Sequence, residues 1–205
     1  MAERSDEELM SAFVSGQAQA FDLLLARHRS GLFGFLARQL GDLAAAEDLF
    51  QEVFLKVISR RHQFRSEARF APWLYAIARH ACIDHRRRAR LRAVDSLDAP
   101  LTAAAANQPQ DETGAEPYRE AGGPNPEAAA QQSELAAVLR RLVAELPEEQ
   151  REVLLLRTDG ELSFPEIAEL VGCPLETAKS RMRYALAALR RRLSPAMVPR
   201  ASGAL

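Results

Sequence analysis

Between Val94 and Ala130 the chain has few aliphatic side chains at helical spacing; alanine, proline, glycine, glutamine and acids dominate instead. A stretch of that length and composition cannot bury enough apolar surface to order itself, so it predicts a flexible linker. The 205 residues are thereby divided into two small units, each with its own core. Helical periodicity on both sides predicts an all-α fold, two helical domains joined by a flexible acidic linker. The expected boundaries are 1–92 for the first domain, 93–132 for the linker, 133–195 for the second domain and 196–205 for a tail.

Charge follows the same division. The net charge of −1 conceals +8 over residues 60–92, where ten arginines face only Glu67 and Asp84, and +5 over residues 175–193. Residues 93–134 between them carry −7, and residues 1–59 carry −4. Two basic segments separated by an acidic one predict two contacts with polyanions on one chain. Cys82 and Cys173 form no metal-type pair, which suits a reducing compartment and reads them as small packing residues. No charged-then-apolar leader and no apolar run near 18 residues is found, so neither secretion nor membrane insertion is expected.

In the first unit, Ser5 before Asp6, Glu7 and Glu8 marks a helix start that runs to Gly16. A second helix is expected from Ala20 to Leu40, with Phe21, Leu24, Leu25, Leu32, Phe33 and Leu36 as core and Gly41 as its stop; His28 reads as a structural histidine. A third, from Leu43 to Arg60, buries Ala46, Leu49, Phe50, Val53, Phe54 and Val57. Its opposite side lines up Asp48, Gln51, Glu52 and Leu55, an acidic face with a leucine that suits a partner protein. Residues 61–69 form a basic loop around Phe64. The next helix, expected over Phe70–Arg92, buries Phe70, Leu74, Ile77, Ala78 and Ala81. Tyr75, Arg79, Ile83 and Arg86 fall on its back, where an aromatic beside arginines would stack bases and neutralise phosphates. Trp73, the one tryptophan, reads first as a core anchor. His80 and Asp84 have a metal-ligand spacing but nothing nearby completes a site, so no metal or other cofactor is expected.

The second unit reads as four helices. The first carries Leu135, Val138, Leu139, Leu142, Val143 and Leu146 and ends at Pro147; the next runs through Val153, Leu154 and Leu156 to Asp159-Gly160. Ser163 and Glu166 have the spacing of a capping box, and Gly172 supplies a left-handed corner. The last helix, from Leu175 to Leu193, turns Ala178, Met182, Ala185, Leu186, Leu189 and Leu193 inward. Outward lie Glu176, Ser180, Arg183, Tyr184 and Arg191, flanked by Thr177, Lys179 and Arg181. The pattern is a helix-turn-helix whose second helix enters a DNA major groove.

Together these segments resemble the extracytoplasmic-function sigma factors, two-domain promoter-recognition subunits of bacterial RNA polymerase. The resemblance rests on Asp6 through Leu9, Gly16, Ala20-Phe21, AEDLFQEVF and WLYAIARHACIDHRRR in the first half. In the second it rests on LPEEQREVLLLR and SFPEIAELVGCPLETAKSRMRYALAALRRRL. It implies that Asp48, Gln51, Glu52 and Leu55 dock on core RNA polymerase. Phe64, Arg65, Trp73, Arg79, His80, Arg86 and Arg87 would hold the melting minus-ten element as a parted strand. Glu176, Thr177, Lys179, Ser180, Arg181, Arg183 and Tyr184 would read the minus-thirty-five element as duplex, with Lys179, Ser180 and Arg183 foremost. It further implies an anti-sigma partner and a cytoplasmic protein that such a partner can hold at the inner membrane face. Two positions depart from the family pattern and bear on promoter choice: His80 stands in place of asparagine and Tyr184 in place of arginine. No nucleophile–base pair or phosphate loop points to an enzyme. The competing reading is an autonomous helix-turn-helix regulator of operator DNA, which would need neither the acidic face nor a melting helix.

Overall fold

Ser5 starts helix α1 (Asp6–Val14) with a reciprocal cap. Its Oγ accepts from the Glu8 amide at 3.2 Å, and Glu8 Oε2 accepts from the Ser5 amide at 2.8 Å. The computed structural model describes residues 4–65, 67–97 and 136–193. The rest of the expected linker, Leu135 and the tail lie outside them. Helix α2 (Ala18–Leu40) begins two residues before expectation and ends at Gly41, whose φ of 72° is the left-handed conformation that stops a helix at low cost. Asp42 Oδ1 then accepts from the amides of Ala44 and Ala45 and opens α3 (Leu43–Arg60). A short 3-10 turn (Arg61–Gln63) leads through the basic loop to α4 (Phe70–Leu97). The cap of α4 comes from another helix: the Glu7 carboxylate accepts from the Phe70 amide at 3.0 Å. Asp6, beside it, pairs with Arg27 and with His28 at 2.7 Å, and the His28 ring lies 5.2 Å from that of Phe70. His28 is thus a packed structural histidine.

The core of this unit is the meeting of the expected stripes. Leu24, Leu32 and Leu36 of α2, Ala46, Leu49 and Val53 of α3, and Phe70, Leu74, Ile77 and Ala78 of α4 are all buried. Each large side chain taken out of water stabilises the fold by about 1.5–3 kcal/mol before entropy is counted. Phe33 and Phe50, expected inside, are half-buried at the edge of that core. Phe35 takes the interior place, fully buried, with its ring 5.3 Å from Tyr75 in an edge-to-face contact. Buried Cys82 has its thiol pushed up to about 12, chiefly by burial, so it stays a protonated packing group.

The second unit comprises helical residues 136–144 (α5), α6 (Glu148–Thr158), α7 (Phe164–Val171) and α8 (Leu175–Arg192). The capping box at α7 is present: Ser163 Oγ accepts from the Glu166 amide and Glu166 Oε2 accepts from the Ser163 amide at 2.7 Å. Replacing Ser163 by alanine is expected to cost about 1 kcal/mol. The measurement is urea unfolding, read as a lower midpoint at unchanged slope. Gly172, φ 73°, makes the corner between α7 and α8. Ala178 and Ala185 are the buried residues of α8, which packs on α6 and α7. Leu186 was expected inward but is 38% exposed. The seam at Ala178 and Ala185 is narrow, and Leu186 falls just beyond its margin.

Helix α6 is buried over five consecutive residues, Glu152 to Leu156, which a one-sided amphipathic helix cannot be. The reason is that α6 packs on α7 and α8 on one side and on α2 of the first unit on the other. The back of α4 is covered in the same way. Tyr75, expected on an exposed face, is 1% exposed, and its hydroxyl donates to the Asp159 carbonyl at 2.7 Å.

Candidate nucleic-acid and partner surfaces

On α3 the cap at Asp42 fixes the helix phase, and the buried stripe on one side leaves Asp48, Gln51 and Leu55 exposed on the other. Leu55 is 65% exposed. Glu52 is held back from this face: it pairs with Lys56 at 2.6 Å and with Arg88 of α4 at 3.7 Å. The hydrogen bond from Lys56 is the main reason that its carboxyl lies below its ordinary pKa. The exposed side of α3 is therefore a leucine beside Asp48 and Gln51, with Glu52 as a tethered margin.

Along α4, Trp73, His80 and Arg87 are seven residues apart and fall on one stripe. His80 and Arg87 are exposed, and His80 Nδ1 lies 2.7 Å from the carbonyl of Ala76, which turns the ring along the helix. Trp73 is half-buried. It forms an aromatic cluster with Phe64 of the basic loop and Phe70, at 5.4 Å from the first ring and 6.0 Å from the second. Arg65 is exposed in that loop. Arg79 and Arg86, also seven apart, lie on the neighbouring flank and are not open. Arg79 Nε donates to Glu152 at 2.9 Å, and Arg86 binds Glu148, both carboxylates belonging to α6. The structure thus groups Phe64, Arg65, Trp73, His80 and Arg87 at one surface and sets Arg79 and Arg86 apart from it.

Helix α8 presents Glu176, Lys179, Arg183 and Tyr184 to solvent. Lys179 pairs with Glu176 at 2.7 Å, and the Arg183 guanidinium stacks over the Tyr184 ring at 5.4 Å. Thr177 and Ser180 are half-buried. Arg181 turns from this face toward α6 and pairs with Glu149 at 2.6 Å. What spacing did not reveal is the set of cross-unit partners. Arg38 pairs with Asp159 at 2.6 Å and Arg69 with Glu166 at 2.8 Å. Burial raises the Asp159 carboxyl above its ordinary pKa despite Arg38. Burial also works to raise Glu166, but the bonds from Ser163 and Arg69 outweigh it and the net shift is downward. Among the described residues no group of histidine, cysteine and carboxylate side chains is placed to hold a metal, and no helix is long and apolar enough to cross a membrane.

Comparison with known proteins gives these surfaces a family. Residues 24–92 match the Sigma-70 region 2 model, and residues 136–189 match the Sigma-70 region 4 model. RNA polymerase sigma-H factor of Pseudomonas aeruginosa is 29% identical over 202 residues, covering 95% of this chain and 97% of that protein. ECF RNA polymerase sigma factor SigC of Mycobacterium tuberculosis is 31% identical over 192 residues, covering 92% and 93%. Among solved structures, CnrH in complex with the cytosolic domain of CnrY aligns with a TM-score of 0.62 at 23% identity, over 93% of this chain and 97% of that one. Sigma factor RpoE in complex with the anti-sigma factor NepR, from Bartonella quintana, aligns at 0.60 and 22%, over 84% and 96%. With both sigma regions present in chain order and a relative this similar along nearly its whole length, the chain belongs to the ECF RNA polymerase sigma factors.

Proposed function

We infer that the two basic surfaces divide one promoter between them. As a sigma factor the chain directs promoter-specific initiation by RNA polymerase; sigma factors are in general initiation factors rather than enzymes, and the bond-making chemistry is assigned here to the polymerase. The first domain, 1–92, binds core enzyme through Asp48, Gln51, Glu52 and Leu55. It takes up the parted minus-ten strand on Phe64, Arg65, Trp73, His80 and Arg87, joined by Arg79 and Arg86 once those are released. The second domain, 133–195, reads the minus-thirty-five duplex with Lys179, Ser180, Arg183 and Tyr184. The linker of residues 93–132 begins within the last turn of α4, which runs five residues past the expected end at Arg92 to Leu97.

The observation that carries this reading is the difference between the two basic faces. One has a cluster of three rings, Phe64, Phe70 and Trp73, near the exposed Arg65 and Arg87, as capture of a single strand requires; the other is a polar helix after a tight turn, its one exposed ring, Tyr184, lying under Arg183, as a groove requires. An anti-sigma protein of the kind seated on RpoE is the proposed regulator, with the chain in the cytoplasm. Run-off transcription with purified core polymerase on the chain's own upstream region tests the whole. The expected result is a transcript that neither core nor chain produces alone. Strong, symmetric binding to duplex DNA without core would instead identify an autonomous operator-binding regulator.

Arg183→Ala is expected to lower initiation roughly ten-fold, about the loss of one good base or phosphate contact, on promoters with an intact minus-thirty-five element. Templates lacking that element should be unaffected. An equal loss on both kinds of template would remove Arg183 from groove reading.

A further inference from the structure

Helix α4 outruns the domain that holds it. Its buried side chains end at Cys82, and every side chain from Arg87 to Arg92 is exposed. The helix nevertheless continues to Leu97, about three turns beyond Arg87. The projecting part is strongly basic, with arginine at 87, 88, 90 and 92. Arginines nearer the core have acidic partners: Arg79 meets Glu152, Arg86 meets Glu148, and Arg88 reaches Glu52 at 3.7 Å. Arg87, Arg90 and Arg92 meet no carboxylate among the described residues. Arg92 Nε instead donates along the helix to the Arg88 carbonyl at 3.4 Å. Like charges three and four residues apart weaken a helix, and a polyanion laid along this one would remove the repulsion.

The two ends of α4 differ in what they can hold. Phe64, Phe70 and Trp73 gather at its first turn, and no phenylalanine, tyrosine or tryptophan follows Tyr75 on the helix. Bases can stack at the first end only. At the far end Arg86, Arg87 and Arg90 rim an open groove whose floor is Ile83 and Leu91, themselves 39% and 57% exposed. Guanidinium groups over an apolar floor suit phosphates and their sugars, the parts that DNA offers while its bases remain paired. From Trp73 to Arg90 the helix rises about 25 Å, the length of about seven base pairs.

We propose that the projecting end of α4 is a further DNA contact, in which Arg87, Arg90 and Arg92 hold the duplex just upstream of the parted strand through its backbone, whatever its sequence. The proposal rests on the strand-capture reading of the surface at Phe64, Trp73 and His80. A duplex gripped at the arginine end and a strand stacked at the ring end fix the junction between them on one rigid helix. The competing occupant is the chain's own linker, since residues 93–134 carry −7.

The test uses the full chain bound to core polymerase and two labelled probes. One is a mixed-sequence single strand; the other is the same strand continued at its 5′ end by one turn of duplex. Arg90→Gln with Arg92→Gln alters exposed positions only, and glutamine keeps a good helix former there. The duplexed probe is expected to bind about ten-fold more weakly, with a plot of log affinity against log salt shallower by about two. Binding of the single strand should not change. Equal losses on both probes would make these arginines strand contacts and overturn the proposal. No loss on either would give them to the linker or to polymerase, and overturns it too. Arg90→Lys with Arg92→Lys keeps the charge and should keep the parent's salt slope; a slope as shallow as that of the glutamine variant rules out phosphate contact. His80→Ala checks the underlying reading and should weaken both probes alike. If it weakens neither while the glutamine variant still loses the duplexed probe, strand capture at His80 fails and the duplex contact stands.

Discussion

Phe35→Ala is expected to lower the stability of region 2 by about 3–5 kcal/mol, the largest effect of any single substitution considered. The ring is 0% exposed, with Leu32 and Leu36 buried beside it on α2 and Tyr75 in edge-to-face contact. Removing it loses the transfer energy of the ring and leaves a void that packed helices only partly close. Total stability of a small domain is about 5–15 kcal/mol, so the variant stands near the point of unfolding at ordinary temperature. Urea denaturation followed by far-ultraviolet circular dichroism measures the loss. Phe50→Ala is the companion, since Phe50 is only half-buried, and it is expected to cost less than half as much. If the two cost the same, the assignment of Phe35 to the interior is wrong.

That prediction turns on a residue the sequence does not single out, and the reason is instructive. A period of 3.6 residues places Leu32 and Leu36 on one stripe but lets either Phe33 or Phe35 flank it. The choice is made by α4 and the turn after α6, which approach from the Phe35 side. The α3 stripe was legible to within one residue because α2 and α4 cover only one side of it. The caps at Ser5 and Ser163 and the corners at Gly41 and Gly172 were legible because each is settled within a few residues. The closed face of α4 was not. The partners of Arg86 and Arg38 lie 62 and 121 residues away, and nothing in local spacing says which acid will meet which arginine. Gly31 was an available sign, since a glycine inside a helix, where alanine would be favoured, can mark a close approach of backbone, but Gly34 in the same helix carries the same sign and meets only the Arg38 side chain. The use of Gly31 became evident only with Asp159 against it. The same packing hides Tyr75, so an aromatic next to arginines in sequence proved to be part of the contact between regions.

The proposed polymerase face leads to the second large effect. Asp48→Lys combined with Leu55→Asp is expected to weaken binding to core RNA polymerase by about 100-fold, equivalent to about 3 kcal/mol. Leu55 is 65% exposed, and burying such a side chain against a partner is worth about 1.5–3 kcal/mol; an aspartate there forfeits that and adds a charge to desolvate. Reversing Asp48 replaces attraction with repulsion toward a basic partner surface. Glu52 is deliberately left unchanged. Its bonds to Lys56 and Arg88 tie α3 to α4, so reversing it would mix a loss of internal contact with a loss of partner contact. Both chosen positions are exposed on α3, away from its buried stripe, so helicity and unfolding midpoint should stay near those of the parent. Anisotropy of a labelled chain titrated with core measures the affinity. Parent-like affinity in a folded variant would move the docking surface off α3. Loss of affinity together with retained single-strand binding would place core binding and strand capture on separate faces of region 2, with Glu52 and Arg88 at the margin between them.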